Sequence, residues 1–439
     1  MNESPIRWNP PATFDEDAEG LGLPQLEGVE HTLLYDPRPS AGNLDEGGDG
    51  RFESLWHGTF NHHTAFVIHE GRYIATWSNH SRDENGAGQR VLGRVGTITD
   101  HGIDWGGDET LVEFAPQPVP IERRPMDHDP CVIKPYVNGS LQLINGSLYF
   151  RGSLPACHGY TNHEMYRRPF DPIPEECWRD GLRVKDFFFD VWFDMGMDFV
   201  QKWDFDGNTV VPVSPMYRIT EYTDLVEVTP DRFKVGAPLL PPYTDSVPFD
   251  DAPADIRQDV LNGTPKRFIR RAKYREGELW ISADGKNALA HEAQFQRPDG
   301  KWVVIRDNLL NHGHYYAAMK DHEDDFYPPA YETELYGGAM PAAGELPDGR
   351  PWILCNSYDD YFGAKDRSRK DMFITVSDDG ITFNKTWLVL HIDRDSDGGV
   401  YKFGGPQYFK TTTINGSIYA VYSITKEQIG ITKIPENLF

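Results

Sequence analysis

Residues 377–383 read Ser377-Asp378-Asp379-Gly380-Ile381-Thr382-Phe383. Polar side chains that cap a tight turn stand directly before an apolar-aromatic strand start, and the turn residues bond their own backbone. A looser copy is Thr99-Asp100-His101-Gly102-Ile103-Asp104-Trp105. Interleaved with these runs a second template: a polar residue, Gly, a spacer of one or two residues, then an aromatic entering an apolar strand. It is met as Glu70-Gly71-Arg72-Tyr73, Asn145-Gly146-Ser147-Leu148-Tyr149, Glu276-Gly277-Glu278-Leu279-Trp280, Asp299-Gly300-Lys301-Trp302, Asp348-Gly349-Arg350-Pro351-Trp352 and Asn415-Gly416-Ser417-Ile418-Tyr419. Asn-Gly and Asp-Gly tolerate positive φ at a hairpin turn, and the aromatic that follows packs into a sheet.

The rest of the sequence agrees with strands. Few stretches carry the i, i+3, i+4, i+7 apolar spacing of a helix, while 41 Gly and 33 Pro are spread along the whole 439 residues. A hairpin cannot bury its face alone, so repeated hairpins stack radially as blades. The 377–383 turn resembles the Asp-box of sialidase-type propellers, which lies between the outer strands of a blade. The expected fold is therefore all-β, a seven-bladed β-propeller with sialidase-like (BNR/Asp-box) repeats, at about 50–65 residues per decorated blade. Residues 1–439 are read as one propeller domain, with long loop insertions around 160–265, where the repeat fades and LLPPY occurs at 239–243.

A formal charge of −25 repels phosphate backbones and anionic lipids, so nucleic-acid and membrane partners are not expected. An anionic substrate needs a local cluster of Arg and His. The start, MNESPIRWNPPATFDEDAEG, has neither a basic nor an apolar signal segment, and no run approaches the length of a membrane span. Cys131, Cys157, Cys177 and Cys355 match no metal-ligand spacing and read as free thiols. The expected compartment is the cytoplasm, or the exterior if a signal peptide has been removed. The oligomeric state is left open.

The densest chemistry lies in 56–90, WHGTFNHHTAFVIHEGRYIATWSNHSRDENGAGQR. His57, His62, His63, His69 and His80 crowd into it and Gln89 and Arg90 close it. Imidazoles at the ends of inner strands suit general acid–base work near neutral pH. Later polar groups placed to close a pocket are His312 and His314 in LLNHGHYY, and Gln407 in GGPQYF. The run Asp321-His322-Glu323-Asp324-Asp325 offers oxygen ligands for a structural Ca²⁺; no cofactor is otherwise required.

Paired His before an apolar strand, then WSN, an acidic loop and GQR, resembles the sialidase-like propeller lyases of rhamnose–glucuronate polymers. These are the ulvan lyases and the gum arabic rhamnose–glucuronate lyases, with the related α-L-rhamnosidases. GGAMPAAGELPDGRPWILCN at 337–356, GGPQYF and IYAVYSITKEQI resemble the last blades of the same group. The resemblance implies that His63, or His62, takes the proton at C5 of a uronate, with His80 completing the pair. Arg151, or Arg218, grips the uronate carboxylate with a two-pronged guanidinium. Tyr149 and Tyr160 are the proton donors it implies, and Arg90 joins the substrate-binding set.

Three functions follow as expectations. The first is an oligosaccharide or polysaccharide lyase acting by β-elimination at a glucuronate, its partner an anionic sugar polymer or fragment. The second is a glycoside hydrolase, an α-L-rhamnosidase or a sialidase-like enzyme, which generally wants two carboxylates astride the bond. The third is a sugar-binding propeller without catalysis.

Overall fold

The structure is a computed structural model. It describes residues 4–37, 55, 58–80, 89–116, 121–123, 131–135, 138–158, 178–179, 182–183, 192–219, 246–263, 282–284, 289–308, 313–323, 329–338, 340–357, 369–394 and 404–439. Strands dominate them. The chain divides into two compact units, residues 34–265 with 398–402, and residues 1–33, 266–397 and 403–439.

In the 34–265 unit, the first sheet runs Phe60–His69, Arg72–His80, Arg90–Thr99 and Gly102–Asp104, with Leu111–Ala115 also on the third strand. The second is built on Asn138–Ile144, Ser147–His158, Trp192–Asp206 and Thr209–Pro212, extended by Ile121–Arg123, Cys131–Pro135, Tyr217–Arg218 and Val247–Pro248. One face of each meets the other through Val67, Ile74, Val91 and Val95 against Leu141, Leu148, Phe150, Phe199 and Trp203. The far face of the second sheet packs Ile144, Tyr149 and Val200 on Ile256 and Val260 of the helix Ala254–Gly263. Between 160 and 265, where long loop insertions were expected, the described residues include the sheet strand Trp192–Asp206 and the helix Ala254–Gly263.

In the other unit, a third sheet runs Leu289–Gln296, Trp302–Asn308, Gly313–Lys320 and Tyr331–Gly337. A fourth holds Ala342–Glu345, Pro351–Asn356, Asp371–Ser377 and Thr382–His391, with Arg7–Trp8 added in parallel on its outer edge. A fifth holds Pro406–Ile414, Ser417–Ile424 and Gln428–Pro435, with Glu30–Tyr35 as its outer strand. The fourth sheet alternates with the period of a strand: Ile353 and Cys355 face the third sheet, Trp352 and Leu354 the fifth.

The sequence repeat has a structural meaning. Five of its copies are the turn between the first and second strands of these five sheets; the copy at 276–280 lies outside the described residues. Glu70-Gly71, Asn145-Gly146 and Asn415-Gly416 hold φ of 47°/71°, 49°/79° and 48°/70°, the left-handed pair that a two-residue hairpin demands. The 377–383 turn also forms as expected. Asp379 Oδ1 accepts the amides of Ile381 (2.8 Å) and Thr382 (2.7 Å), while the Ser377 hydroxyl accepts the Gly380 amide (2.9 Å). Phe383 is then fully buried. In the looser copy, Trp105 packs edge-on to Tyr73 at 5.6 Å.

Candidate functional site

One irregularity recurs where the first strand of a sheet begins. In the first sheet the register slips between His62 and Ala65, three residues spanning the two from Ser78 to Thr76. In the third it slips between Leu289 and Glu292, against Asn308 to Arg306. In the fifth it slips between Gln407 and Lys410, against Ser423 to Val421. Each is a β-bulge, which inserts one residue and re-aims a side chain. The inserted pairs contain His63, His291 and Tyr408. His63 and Tyr408 hold left-handed backbones, φ 54° and 60°, a conformation that non-glycine residues adopt at a cost and that clusters at functional sites.

At the first-sheet bulge His62 is buried and its ring lies 4.6 Å from that of His63. Strand alternation puts Phe60, His62, Ser78 and His80 on the face that meets the second sheet, and Asn61, Asn79 and Arg90 on the opposite one. That opposite face carries a closed network. Asn79 Nδ2 donates to Asn61 Oδ1 (2.7 Å), Arg90 Nε to Asn79 Oδ1 (2.8 Å) and Arg90 Nη1 to Glu113 (3.0 Å). Burial pulls the Arg90 guanidinium down and Glu113 pulls it back.

Of the other residues expected in the site, Arg151, Tyr149 and Arg218 share the 34–265 unit with those imidazoles and are engaged elsewhere in it. Arg151 lies mid-strand, paired with Ser140 and Val200, on the helix-bearing face of the second sheet. The face turned to the first sheet carries Phe150 instead, so alternation separates Arg151 from His62 and His80. Tyr149 shares the Arg151 face and donates to Asp259 (2.8 Å). Arg218 donates to the Ser246 carbonyl (3.2 Å) and hydroxyl (3.3 Å), tying two short edge strands together. His314 is exposed and pairs with Glu332 at 3.4 Å. His57, Tyr160 and His312 lie outside the described residues. In the acidic run, Asp321 pairs with Lys301 and Glu323 accepts from Gln294 (3.1 Å); Asp324 and Asp325 fall outside the described residues. Among the described residues no three His, Cys, Asp or Glu side chains are grouped to hold a metal.

Gln407 belongs to a richer cluster, confined to the 1–33/266–397/403–439 unit, that sequence reading missed. It is buried and accepts from Arg369 Nη1 (3.1 Å). Beside it the Tyr408 ring has the Arg369 guanidinium 6.0 Å and the Lys426 ammonium 5.9 Å from its centre. The His291 ring meets it edge-on at 4.9 Å, and His291 Nδ1 lies 3.0 Å from Asp307 Oδ2. Arg306 donates to Glu292 (2.9 Å). Burial lowers the Lys410 ammonium below its ordinary value, with Glu292 opposing that shift. A half-buried aromatic ringed by cations offers stacking and charge together, and the carboxylates and imidazole beside it supply proton acceptors and donors. Of its members only Gln407, in GGPQYF, was expected from the sequence; the others are scattered over about 135 residues, from His291 to Lys426.

No described helix is long and apolar enough to cross a membrane. No protein-family model matches the chain, and no curated protein matches it. Solved structures do. A sialidase superposes with a TM-score of 0.58 at 15% identity over 98% of this chain and 35% of its own, so the chain spans about a third of that enzyme's length. A Trypanosoma rangeli sialidase, in complex with 2,3-difluorosialic acid as a covalent intermediate, matches at 0.42, 8% identity, and 95% and 60% coverage. A Penicillium chrysogenum α-L-arabinanase complexed with arabinobiose matches at 0.35, 8% identity, and 93% and 98% coverage. The first of these, with the five hairpin sheets and the capped 377–383 turn, gives the chain its fold: it is an all-β, sialidase-like β-propeller.

Proposed function

We propose that this protein is a carbohydrate-active enzyme, a glycoside hydrolase acting on a sugar that carries a negative charge. The observation that carries the reading is the cluster around Tyr408. An aromatic face suits the apolar side of a sugar ring, and Arg369 and Lys426 flank it in a chain whose overall charge is −25. Asp307, Glu292 and His291 stand beside it to exchange protons. The sialidase fold supports the same class of chemistry. β-Elimination at a glucuronate is the second reading, favoured by the adjoining His62 and His63 rings. It is weakened because Arg151, its carboxylate clamp, stands on the far face of the neighbouring sheet.

The test is incubation with a panel of acidic and neutral oligosaccharides and aryl glycosides. Hydrolysis yields new reducing ends without ultraviolet absorbance from an unsaturated uronate. Appearance of that absorbance would select the lyase, and no cleavage of any member would leave only sugar binding. Arg369→Ala and Lys426→Ala are expected to raise KM for acidic substrates and leave neutral ones nearly unaffected.

A further inference from the structure

The three bulges allow the blades to be compared residue by residue. Opposite each inserted pair stands one residue of the second strand: Trp77 in the first sheet, Tyr422 in the fifth, Asp307 in the third. All three are buried, the side chain of Asp307 being only 5% exposed. Two blades thus fill this position with a large aromatic, and the third places a carboxylate there. Burying a carboxylate is costly unless it is paired and hydrogen-bonded. One of its oxygens, Oδ2, meets His291; the other, Oδ1, is buried with no hydrogen-bond partner among the described residues.

His291 is the inserted residue that this carboxylate faces, and its side chain is 31% exposed. The pair therefore joins a sequestered anion to an imidazole open to solvent. Contact through Nδ1 leaves Nε2 as the outward nitrogen. The other histidine–acid pairs among the described residues lack this arrangement. His391 meets Asp371 at 2.6 Å through Nδ1, but its Nε2 is buried and lies 3.7 Å from Glu19. The pairs His314–Glu332 and His69–Glu70 join two solvent-accessible side chains or span 3.8 Å. Around His291 the facing groups are the Tyr408 ring and, through it, Arg369 and Lys426; Glu292, Arg306 and Lys410 lie next along the strands.

We infer that His291 is the proton donor to the glycosidic oxygen of a sugar bound over Tyr408, and that Asp307 is its positioning residue. The inference rests on the hydrolase reading above. His291 enters the step as imidazolium, with Nδ1–H on Asp307. As the C–O bond breaks, its electron pair stays on the leaving oxygen and the Nε2 proton joins that oxygen. Water then supplies hydroxyl to the sugar carbon and its proton returns to Nε2, so the net change is hydrolysis.

The test compares an alkyl and a nitrophenyl glycoside of whichever sugar the wild-type protein cleaves. His291→Gln is expected to lower kcat on the alkyl glycoside by about 10²–10⁴-fold with KM nearly unchanged. The loss should be much smaller on the nitrophenyl glycoside, whose leaving group departs without a proton. Asp307→Asn should lower kcat with the same leaving-group dependence and without lowering the melting temperature, since it removes a buried charge. Retention of activity in His291→Gln, or an equal loss on both substrates, overturns the inference and leaves the hydrolase reading standing. A fall in melting temperature for Asp307→Asn with kcat intact overturns the role of Asp307. A wild-type protein that cleaves no glycoside overturns both readings together.

Discussion

The Tyr149 hydroxyl donates to Asp259 Oδ2 across 2.8 Å and so fastens the second strand of the second sheet to the helix Ala254–Gly263. Burial first, and then the Asp259 carboxylate, hold the phenol proton on well above its ordinary range. A hydroxyl engaged in this way is a structural tie. Tyr149→Phe is expected to cost about 1 kcal/mol of stability, read as a small drop in melting temperature, with glycoside cleavage unchanged. Lost cleavage at an unchanged melting temperature would restore Tyr149 to the catalytic role the sequence suggested.

Arg90 makes a second prediction of the same kind. Its guanidinium is buried between Asn79 and Glu113, on the face of the first sheet that looks away from His62. Removing one partner strands the other. Arg90→Met is expected to destabilise the protein by about 2–4 kcal/mol, less than a fully buried pair because Glu113 reaches solvent. Adding Glu113→Leu should recover part of that loss. A double variant as unstable as the sum of the two singles would mean that the pair is not coupled.

Hairpin chemistry is local, which is why the sheets were legible. Gly71, Gly146 and Gly416 each follow a residue that also holds positive φ, and the two-residue turn fixes the register of the strands around it. The capped turn at 377–383 was legible for the same reason: its donors and acceptors lie within six residues. The site was less so. Tyr408 meets His291 only because two sheets bring them together from more than a hundred residues apart, and a bulge leaves no mark in composition. Alternation misled in the other direction: Arg151 follows the hairpin as expected, yet one residue of phase turns it to the helix face.

Asp379 predicts a pH effect. Burial alone would raise its carboxyl, but the amides of Thr382 and Ile381 and the Ser377 hydroxyl outweigh that and hold it below the ordinary carboxylate value. A depressed carboxyl contributes stability above the unfolded value and loses it as pH falls through the folded one. Asp379→Asn is therefore expected to melt lower than wild type at neutral pH, with the gap closing as the solution is acidified below about pH 4. Melting curves against pH check this, and a gap independent of pH would show that the charge is irrelevant to the turn.

Lys410 carries the opposite sign. Burial lowers its ammonium below the ordinary lysine value and Glu292 offsets only part of that. The folded protein therefore binds fewer protons than the unfolded chain as pH approaches that value, so this residue's cost is full at neutral pH and fades as pH rises. Lys410→Met should raise the melting temperature at pH 7 by about 1–3 °C, and the gain should shrink toward pH 10. It is also expected to weaken acidic substrates, raising KM, because it takes a cation from beside Glu292. A stabilised variant with unchanged KM would place Lys410 in the architecture alone. A destabilised one would mean that the Glu292 contact outweighs the cost of burial.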